Sequence, residues 1–272
     1  TTRVINAQTI ETTKKGNLDF RITHRFGNLA TSSSWHQLYG FDDSRDIRFS
    51  FDYGICDNLS IGVGRSKMNE LYDGNVKWRF LEQTLDNKIP LTITLFSDLG
   101  FTSMVESSVY SNVTLPTDFE KKTAHRFNYT SQLIMARKFG KRLSVELIPG
   151  YTHRNFVKAF ANPNDLAAVD GNDMFSAGAA VRFKLSKRVA ILADYFYLVS
   201  DYRRNNPGYR DPIGLGVEIE TGGHVFHITL TNASGIDENN FLPNTTEGWE
   251  DGAFKLGFSI SRAFAVCKKK NR

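Results

Sequence analysis

The stretch DIRFSFDYGICDNLSIGVGRS, residues 46–66, decides the fold, because apolar and polar residues alternate along almost all of it. In its first half an apolar residue occupies every second position: Ile47, Phe49, Phe51, Tyr53 and Ile55. Successive side chains of a β-strand point to opposite faces, so this half is predicted to be a strand with one apolar face. Residues 56–58 (Cys-Asp-Asn) suit a tight turn, and the alternation resumes at 59–65, which predicts a β-hairpin.

The same alternation recurs along the rest of the chain and predicts about 12 antiparallel strands, most of roughly nine to eleven residues. The predicted strands cover residues 18–23, 47–55, 59–65, 72–80, 91–101, 127–139, 143–153, 175–185, 189–197, 213–221, 224–230 and 254–264. A strand of about this length crosses a bilayer when it is tilted. The fold class is therefore predicted to be all-β, a transmembrane antiparallel up-and-down β-barrel.

Short and long connections between these strands take turns, which is an independent signal. The short ones lie at residues 56–58, 82–88, 140–142, 186–188 and 222–223, and the long ones at 27–44, 102–124, 155–174, 199–212 and 231–252. Outer-membrane barrels have short periplasmic turns and long extracellular loops. We therefore predict a periplasmic N-terminal segment at residues 1–15, a barrel at residues 16–264, and a basic periplasmic tail at residues 265–272, with the bacterial outer membrane as the location.

The composition excludes two other classes of protein. Hydrophobic residues make up 40% of the chain and the mean hydropathy is −0.34, and no segment approaches the roughly 18 consecutive apolar residues of a membrane-spanning helix. The net charge is +5, but 34 Lys and Arg residues are scattered among 29 Asp and Glu residues. This mixed pattern lacks the basic patch of a nucleic-acid-binding protein, so no nucleic-acid partner is expected.

A soluble β-sandwich shares the alternation of period two, with its apolar faces turned inward. The barrel is favoured by the alternating connections, by the uninterrupted strand order, and by aromatic residues near both ends of the strands. Those predicted at one rim are Phe26, Tyr72, Phe101, Tyr129, Tyr151 and Phe175, and those at the other are Tyr53, Trp78, Phe80, Phe139, Phe183 and Phe264.

Several motifs resemble a family of uncharacterised Bacteroidota outer-membrane β-barrel proteins. They are IETTKKGNLDFRITHRFGNLA at residues 10–30, the quoted stretch at 46–66, ELYDG at 70–74 and YTHRNF at 151–156. The resemblance runs over most of the chain and implies an outer-membrane location and a barrel fold. It implies no activity for particular residues.

If the apolar positions face lipid, the opposite positions line the lumen, and many of these are charged. The predicted lumen-lining residues are Arg21, Arg48, Asp52, Lys77, Arg79, Asp98, Arg126, Glu146, Arg182, Asp194, Glu218 and Lys255. They suit a charge ladder that fills the interior, since buried charges need partners. They also suit a polar channel that selects solutes by charge. A barrel of about 12 strands lies between small filled barrels and water-filled porins, so size leaves both interpretations open.

No catalytic, cofactor or metal-binding residues are predicted. His24 and His153 lie near strand ends, but no Ser shares their face at a matching level, which argues against a hydrolase. The loop Asp237–Asn240 is rich in oxygen ligands but lacks the spacing of an EF-hand, and a solvated loop is the favoured interpretation. Cys56 and Cys267 are predicted about two strand spacings apart, too far for a disulfide unless the tail bends back.

Two functions follow from these patterns. The first is a narrow outer-membrane channel for small polar or anionic solutes. The second is a plugged structural barrel that serves as an anchor or subunit of a cell-envelope complex. Outer-membrane lipid and lipopolysaccharide are the expected surroundings, and protein partners would bind the loops or the periplasmic tail.

Overall fold

The computed structural model describes residues 1–111, 113, 115, 117–158 and 161–266. Twelve antiparallel strands form one closed barrel in sequence order, with β1 paired to both β2 and β12. The strands are Asn17–Asn28 (β1), Ser44–Cys56 (β2), Leu59–Ser66 (β3), Leu71–Leu81 (β4), Thr92–Thr102 (β5), Phe127–Phe139 (β6), Leu143–Arg154 (β7), Asp173–Lys184 (β8), Val189–Val199 (β9), Ile213–Glu220 (β10), Val225–Thr231 (β11) and Lys255–Ala265 (β12). The predicted up-and-down barrel is confirmed.

Short helices lie in the connections. They are the α-helices Glu106–Val109 (α1), Asp201–Arg204 (α2) and Glu238–Asn244 (α3), and the 3₁₀ segments Ser34–Gly40, Met68–Glu70 and Thr123–Arg126. Within the described part of the chain, no helix is long and apolar enough to cross a membrane. We call the end of the barrel with the short connections the turn end and the opposite end the loop end.

The outer surface of the barrel is apolar, because the alternation places one face of each strand outside. Phe51, for example, is 42% exposed, whereas its neighbour Ser50 is 2% exposed. Many of the predicted rim aromatics lie on this surface: Tyr72, Tyr129, Tyr151 and Phe175 at the loop end, and Trp78, Phe80, Phe139, Phe183 and Phe264 at the turn end. An apolar belt between aromatic rims matches the surface that a transmembrane barrel presents to lipid.

The inner surface has two unlike halves. Strands β5 to β9 turn large apolar side chains inward, and this apolar half-wall comprises Phe96, Ile134, Ile148, Leu192 and Phe196, all at most 2% exposed. The described parts of β1 to β4 and β10 to β12 bury no apolar side chain except Leu71 near the loop end. Their inward positions carry polar and charged residues instead. The sequence predicts the charged positions, but the apolar half-wall was not foreseen.

The N-terminal segment lies inside the barrel, and its predicted periplasmic position is wrong. Residues 3–8 form a tight hairpin, with an antiparallel bridge between Arg3 and Gln8 and a hydrogen bond from the Val4 nitrogen to the Ala7 carbonyl oxygen at 2.9 Å. Val4, Ile5 and Ala7 are at most 4% exposed and belong to one apolar cluster with the half-wall. The physical reason is that these apolar side chains find cover in the lumen that the periplasm would not provide.

The hairpin is joined to the wall at the turn end. Lys15 forms a parallel bridge with Gly54, and the Gly16 nitrogen donates a hydrogen bond to the Gly54 carbonyl oxygen at 2.8 Å. A Cβ atom at Gly54 would lie 2.2 Å from the Lys14 carbonyl oxygen, so glycine is required for this close approach. From the hairpin in the lumen the chain therefore runs to the turn end, passes beside β2 and continues into β1.

The long connection between β11 and β12 also folds into the lumen. All of Asp237–Asn240 is at most 2% exposed, so the favoured solvated loop is wrong for this stretch. Phe241 and Leu242 are fully buried, and the Phe241 ring meets the Phe196 ring edge-on at 5.3 Å between centroids. Burial of each such side chain contributes ~1.5–3 kcal/mol, which explains why α3 turns inward.

Candidate functional site

The candidate site is the occupied lumen, where the N-terminal segment and α3 meet the charged wall. Among the predicted lumen-lining residues, those at most 8% exposed are Arg21, Arg48, Lys77, Asp98, Glu146, Asp194, Glu218 and Lys255. Four others are partly exposed: Asp52, Arg79, Arg126 and Arg182. Most of them contact an inserted element or another wall charge.

Asp194 on β9 is the main polar anchor of the N-terminal segment. Its Oδ2 accepts hydrogen bonds from the backbone nitrogens of Asn6 at 2.6 Å and Ala7 at 3.0 Å, and its Oδ1 accepts one from Asn6 Nδ2 at 2.8 Å. Two consecutive N–H groups on one carboxylate form a charge-assisted contact, which is stronger than a neutral hydrogen bond. Asp194 thus provides three of the hydrogen bonds that bind the tip of the hairpin to the wall.

Arg25 on β1 links the two inserted elements. Its Nη2 donates to Asn6 Oδ1 at 2.6 Å, and its Nη1 donates to the carbonyl oxygens of Ala233, at 3.1 Å, and Gly235. The side chain is fully buried and was not among the predicted site residues that we singled out. Its five N–H donors are suited to joining several acceptors at once.

The opposite wall holds the beginning of the hairpin. Lys77 Nζ on β4 donates to the Thr2 carbonyl oxygen at 2.9 Å and to Gln8 Oε1 at 2.8 Å. Arg21 Nη2 on β1 donates to Thr2 Oγ1 at 3.0 Å. Asp52 lines a small crevice of about 20 Å³ beside these groups. The segment is therefore bound on both sides of the barrel.

α3 and the residue before it are bound mainly by β2, β5 and β6. Arg48 forms ion pairs with Asp73 and with Asp237, the residue before α3, and Asp98 Oδ2 accepts from Asn239 Nδ2 at 2.5 Å. Thr130 Oγ1 donates to Asn239 Oδ1 at 2.9 Å. Burial raises the pKa of Asp237 to about 7, and the neighbouring Asp73 carboxylate acts in the same direction.

Other predicted residues form contacts within the wall or at its ends. Arg182 donates to Glu218 and Glu220, and His227 Nε2 lies 3.1 Å from Glu218 Oε2. At the turn end Arg79 donates to the Asp57 carbonyl oxygen at 3.0 Å.

At the loop end, Arg126 Nη1 donates to the carbonyl oxygens of Thr102 at 3.1 Å and Met104 at 2.6 Å. Lys255 pairs with Glu247 at 2.5 Å. Arg126 and Lys255 therefore brace the loop end, whereas Arg79 at the turn end also pairs with Glu11 of the N-terminal segment at 3.7 Å.

A cavity of about 490 Å³ opens into the lumen from the turn end. Its charged lining comprises Lys138, Lys141, Arg142, Arg182 and Lys184 together with Glu11, Glu146 and Glu220. The cavity ends against Val4, Thr9 and Ile10 of the N-terminal segment. A separate cavity of about 110 Å³ lies on the loop-end side of α3, against Asn239 and Pro243. The two inserted elements lie between these spaces.

The loop-end rim contains a His–Asp pair. His153 Nδ1 lies 2.7 Å from Asp173 Oδ1, and its Nε2 lies 3.0 Å from Asn155 Oδ1. Both ring nitrogens therefore have partners, and the Tyr151 hydroxyl donates to the same carboxylate. A hydrolytic base needs a ring nitrogen that faces a nucleophile, and Asn155 occupies that position here.

Cys56 forms no disulfide with any residue in the described part of the chain. Its possible partner Cys267 and the basic part of the tail from residue 267 onward lie outside the described residues. The prediction about this pair and the predicted periplasmic tail therefore stay predictions.

A closed twelve-stranded barrel with an apolar outer belt defines an integral outer-membrane β-barrel. The chain belongs to the family described as "Membrane bound beta barrel domain (DUF5777)", whose model matches residues 1–264. The match includes the segment that occupies the lumen. No curated protein matches the sequence.

Solved structures of outer-membrane proteins are similar to the chain at low sequence identity. A KdgM porin is similar with a TM-score of 0.51 and 10% identity, over 91% of this chain and 99% of that chain. The COG4313 outer membrane channel from Pseudomonas putida F1 has a TM-score of 0.47 and 11% identity, over 94% and 98% of the two chains. The Acinetobacter baumannii outer membrane protein Omp33 has a TM-score of 0.43 and 8% identity, over 94% and 100%.

Proposed function

We propose that the protein is an outer-membrane channel for small polar or anionic solutes, and that the N-terminal segment and α3 hold it closed. One observation carries the proposal. The segment binds the charged wall through side chains such as Asp194 and Lys77, but apart from the bridge between Lys15 and Gly54 it takes no part in the described strand ladder. It can therefore leave the lumen while the barrel stays closed.

Removal of the segment would uncover a charged passage. Arg21, Lys77 and Asp194 would lose their partners in the segment and face water instead. The turn-end cavity already carries five Lys and Arg side chains against three carboxylates in its lining. A cationic mouth concentrates anions, and the charges farther along the wall would select among them. With short turns on the periplasmic side, this cavity would open to the periplasm.

The second candidate is a permanently filled barrel that anchors a cell-envelope complex. It is supported by the apolar cluster that joins the segment, the half-wall and α3, including Ile5, Phe196 and Phe241. Opening would expose these side chains to water, which costs ~1.5–3 kcal/mol for each large one. Protein partners of such a barrel would bind the long loops or the tail.

Conductance in planar lipid bilayers separates the two candidates. The Asp194→Ala variant leaves the N–H groups of Asn6 and Ala7 without their acceptor and should open far more often than the unmodified protein. Asp86→Ala, at an exposed turn, is the matched control and should behave like the unmodified protein. Discrete open levels in Asp194→Ala support the channel. A silent Asp194→Ala barrel, with partners that co-purify in fixed ratio from native membranes, supports the anchor.

We further propose that the protein has no catalytic role and that its direct surroundings are outer-membrane lipid and lipopolysaccharide. The engaged ring nitrogens of His153 support the first statement, and the apolar belt supports the second. The motifs at residues 10–30 and 46–66 support a source among the Bacteroidota.

A further inference from the structure

Three buried carboxylates meet where α3 contacts the wall. Asp73 comes from β4, Asp98 from β5, and Asp237 caps the N-terminus of α3. One oxygen from each carboxylate lies within 4.8 Å of the other two, and no residue of the three is more than 5% exposed.

The positive charge beside this cluster is insufficient. In the described ion pairs of the three carboxylates the only cation is Arg48, which pairs with Asp73 and, at 3.6 Å between Nε and Oδ2, with Asp237. The nearby Glu238 is paired with Arg3. With all three carboxylates ionised, Arg48 balances one of the three negative charges, and the remainder calls for a bound cation or protons, because unpaired charge is strongly unfavourable away from water.

Asp98 provides a second, separate observation. Its Oδ2 accepts from Asn239 Nδ2, but its Oδ1 is buried without a hydrogen-bond partner in the described part of the chain. Nearly all buried side-chain acceptors in proteins have a partner, so an oxygen like this one calls for a further partner, either a water molecule or an ion.

We propose that Asp73, Asp98 and Asp237 bind one divalent cation, with Ca²⁺ as the preferred ion. Ca²⁺ is a hard cation that takes six to eight oxygen ligands, mostly carboxylates, carbonyls and water, in flexible geometry. A charge of +2 balances the excess at the cluster and gives Asp98 Oδ1 a partner. The ion joins β4 and β5 to α3, so it holds α3 in the lumen whether or not the barrel conducts.

The test uses the full chain refolded in detergent without lipopolysaccharide, which binds divalent cations itself. The protein is stripped with a chelator and titrated with CaCl₂, and separately with MgCl₂, by isothermal titration calorimetry. We expect saturable binding of one Ca²⁺ per chain, an upward shift of the thermal unfolding midpoint with Ca²⁺, and weaker binding of Mg²⁺. Asp98→Asn keeps the shape of the side chain and should reduce the affinity at least tenfold, whereas Asp86→Asn should leave it unchanged.

Two results would overturn the site. One is the absence of saturable Ca²⁺ binding to the unmodified protein. This measurement needs no variant, so it is valid even if a variant does not fold. The other is an Asp98→Asn variant that binds Ca²⁺ like the unmodified protein, which places the ion elsewhere. If Asp98→Asn raises the unfolding midpoint and Ca²⁺ has no effect on the unmodified protein, the cluster holds a proton instead of a metal. None of these results depends on conductance, so failure of the site and failure of the channel are distinguishable.

Discussion

Arg3 of the N-terminal segment and Glu238 in the first turn of α3 form an ion pair inside the barrel, with both side chains almost fully buried. These residues are 235 positions apart in the sequence. The two elements that occupy the lumen therefore hold each other as well as the wall. Their displacement should be coupled, because loss of one leaves a buried charge on the other.

We expect Arg3→Ala to destabilise the protein by about 3–5 kcal/mol, because it leaves the Glu238 carboxylate buried without its partner. The double variant Arg3→Ala, Glu238→Ala should lose less than the sum of the two single variants. Denaturant unfolding in detergent measures both quantities. The exposed pair of Arg45 and Asp43 is the control, and Arg45→Ala should cost at most about 1 kcal/mol. Additive effects at Arg3 and Glu238 would show that the two inserted elements are independent.

Leu242→Ala should lower the free energy of unfolding by about 2–5 kcal/mol, since the side chain is fully buried in the lumen beside Phe241. Leu85→Ala makes the same chemical change at a fully exposed turn position and should stay within about 0.5 kcal/mol. Denaturant midpoints of the two variants provide the comparison. Equal stability of the two variants would mean that α3 does not pack in the lumen as described.

Glu11→Gln should remove part of the acid sensitivity of the protein. Burial alone would raise the pKa of Glu11, but the ion pair with Lys138 at 3.1 Å outweighs it and holds the pKa below its usual 4.5. A lowered folded-state pKa means that the pair stabilises the protein above about pH 4.5 and that this stability is lost as pH falls through the lowered value.

The measurement for Glu11 is the denaturant midpoint between pH 3 and pH 7. The unmodified protein should lose more stability below pH 4.5 than Glu11→Gln, whereas the exposed control Glu82→Gln should follow the unmodified protein. Identical curves for Glu11→Gln and the unmodified protein would contradict the role of the pair.

Lys77→Glu should shift ion selectivity toward cations when it is introduced together with Asp194→Ala. Lys77 is 5% exposed in the closed lumen and would line the passage after the segment leaves. Reversal potentials in a salt gradient measure the shift. Lys88 lies in an exposed turn away from the lumen. Lys88→Glu makes the same charge reversal there and should shift the reversal potential much less. If the Lys77→Glu and Lys88→Glu variants gave equal reversal potentials, this would argue against an ion path along β4.

The strands of the barrel wall could be predicted from the sequence, because the patterns that specify them lie within short segments of the chain. Alternation within β2 fixes which side chains face out, and short turns such as residues 140–142 fix how neighbouring strands pair. All twelve strands follow from these two signals, although their ends shift by a few residues.

The contents of the lumen could not be predicted in the same way, because they depend on contacts over long sequence separations. Asn6 meets Asp194 across 188 positions, and nothing in the local sequence of either residue indicates the other. One signal was present in β9, where Ile191 and Leu192 are adjacent apolar residues and Phe196 lies between two tyrosines. A strand with apolar residues on both faces is predicted to have both faces covered. In a membrane barrel lipid covers the outer face, so an apolar inner face indicates a filled interior.

The unequal halves of the inner wall have a consequence for any open state. With the segment gone, β5 to β9 would present Phe96, Ile148 and Phe196 to the passage, while β1 to β4 would present charged side chains such as Arg21 and Lys77, which lies directly beside Phe96. Apolar constrictions resist filling by water, and some channels close by dewetting alone. An emptied barrel of this kind has a densely charged side and a more apolar side in which Asp98, Glu146 and Asp194 are among the buried charges, so ions would travel mainly along the charged strands.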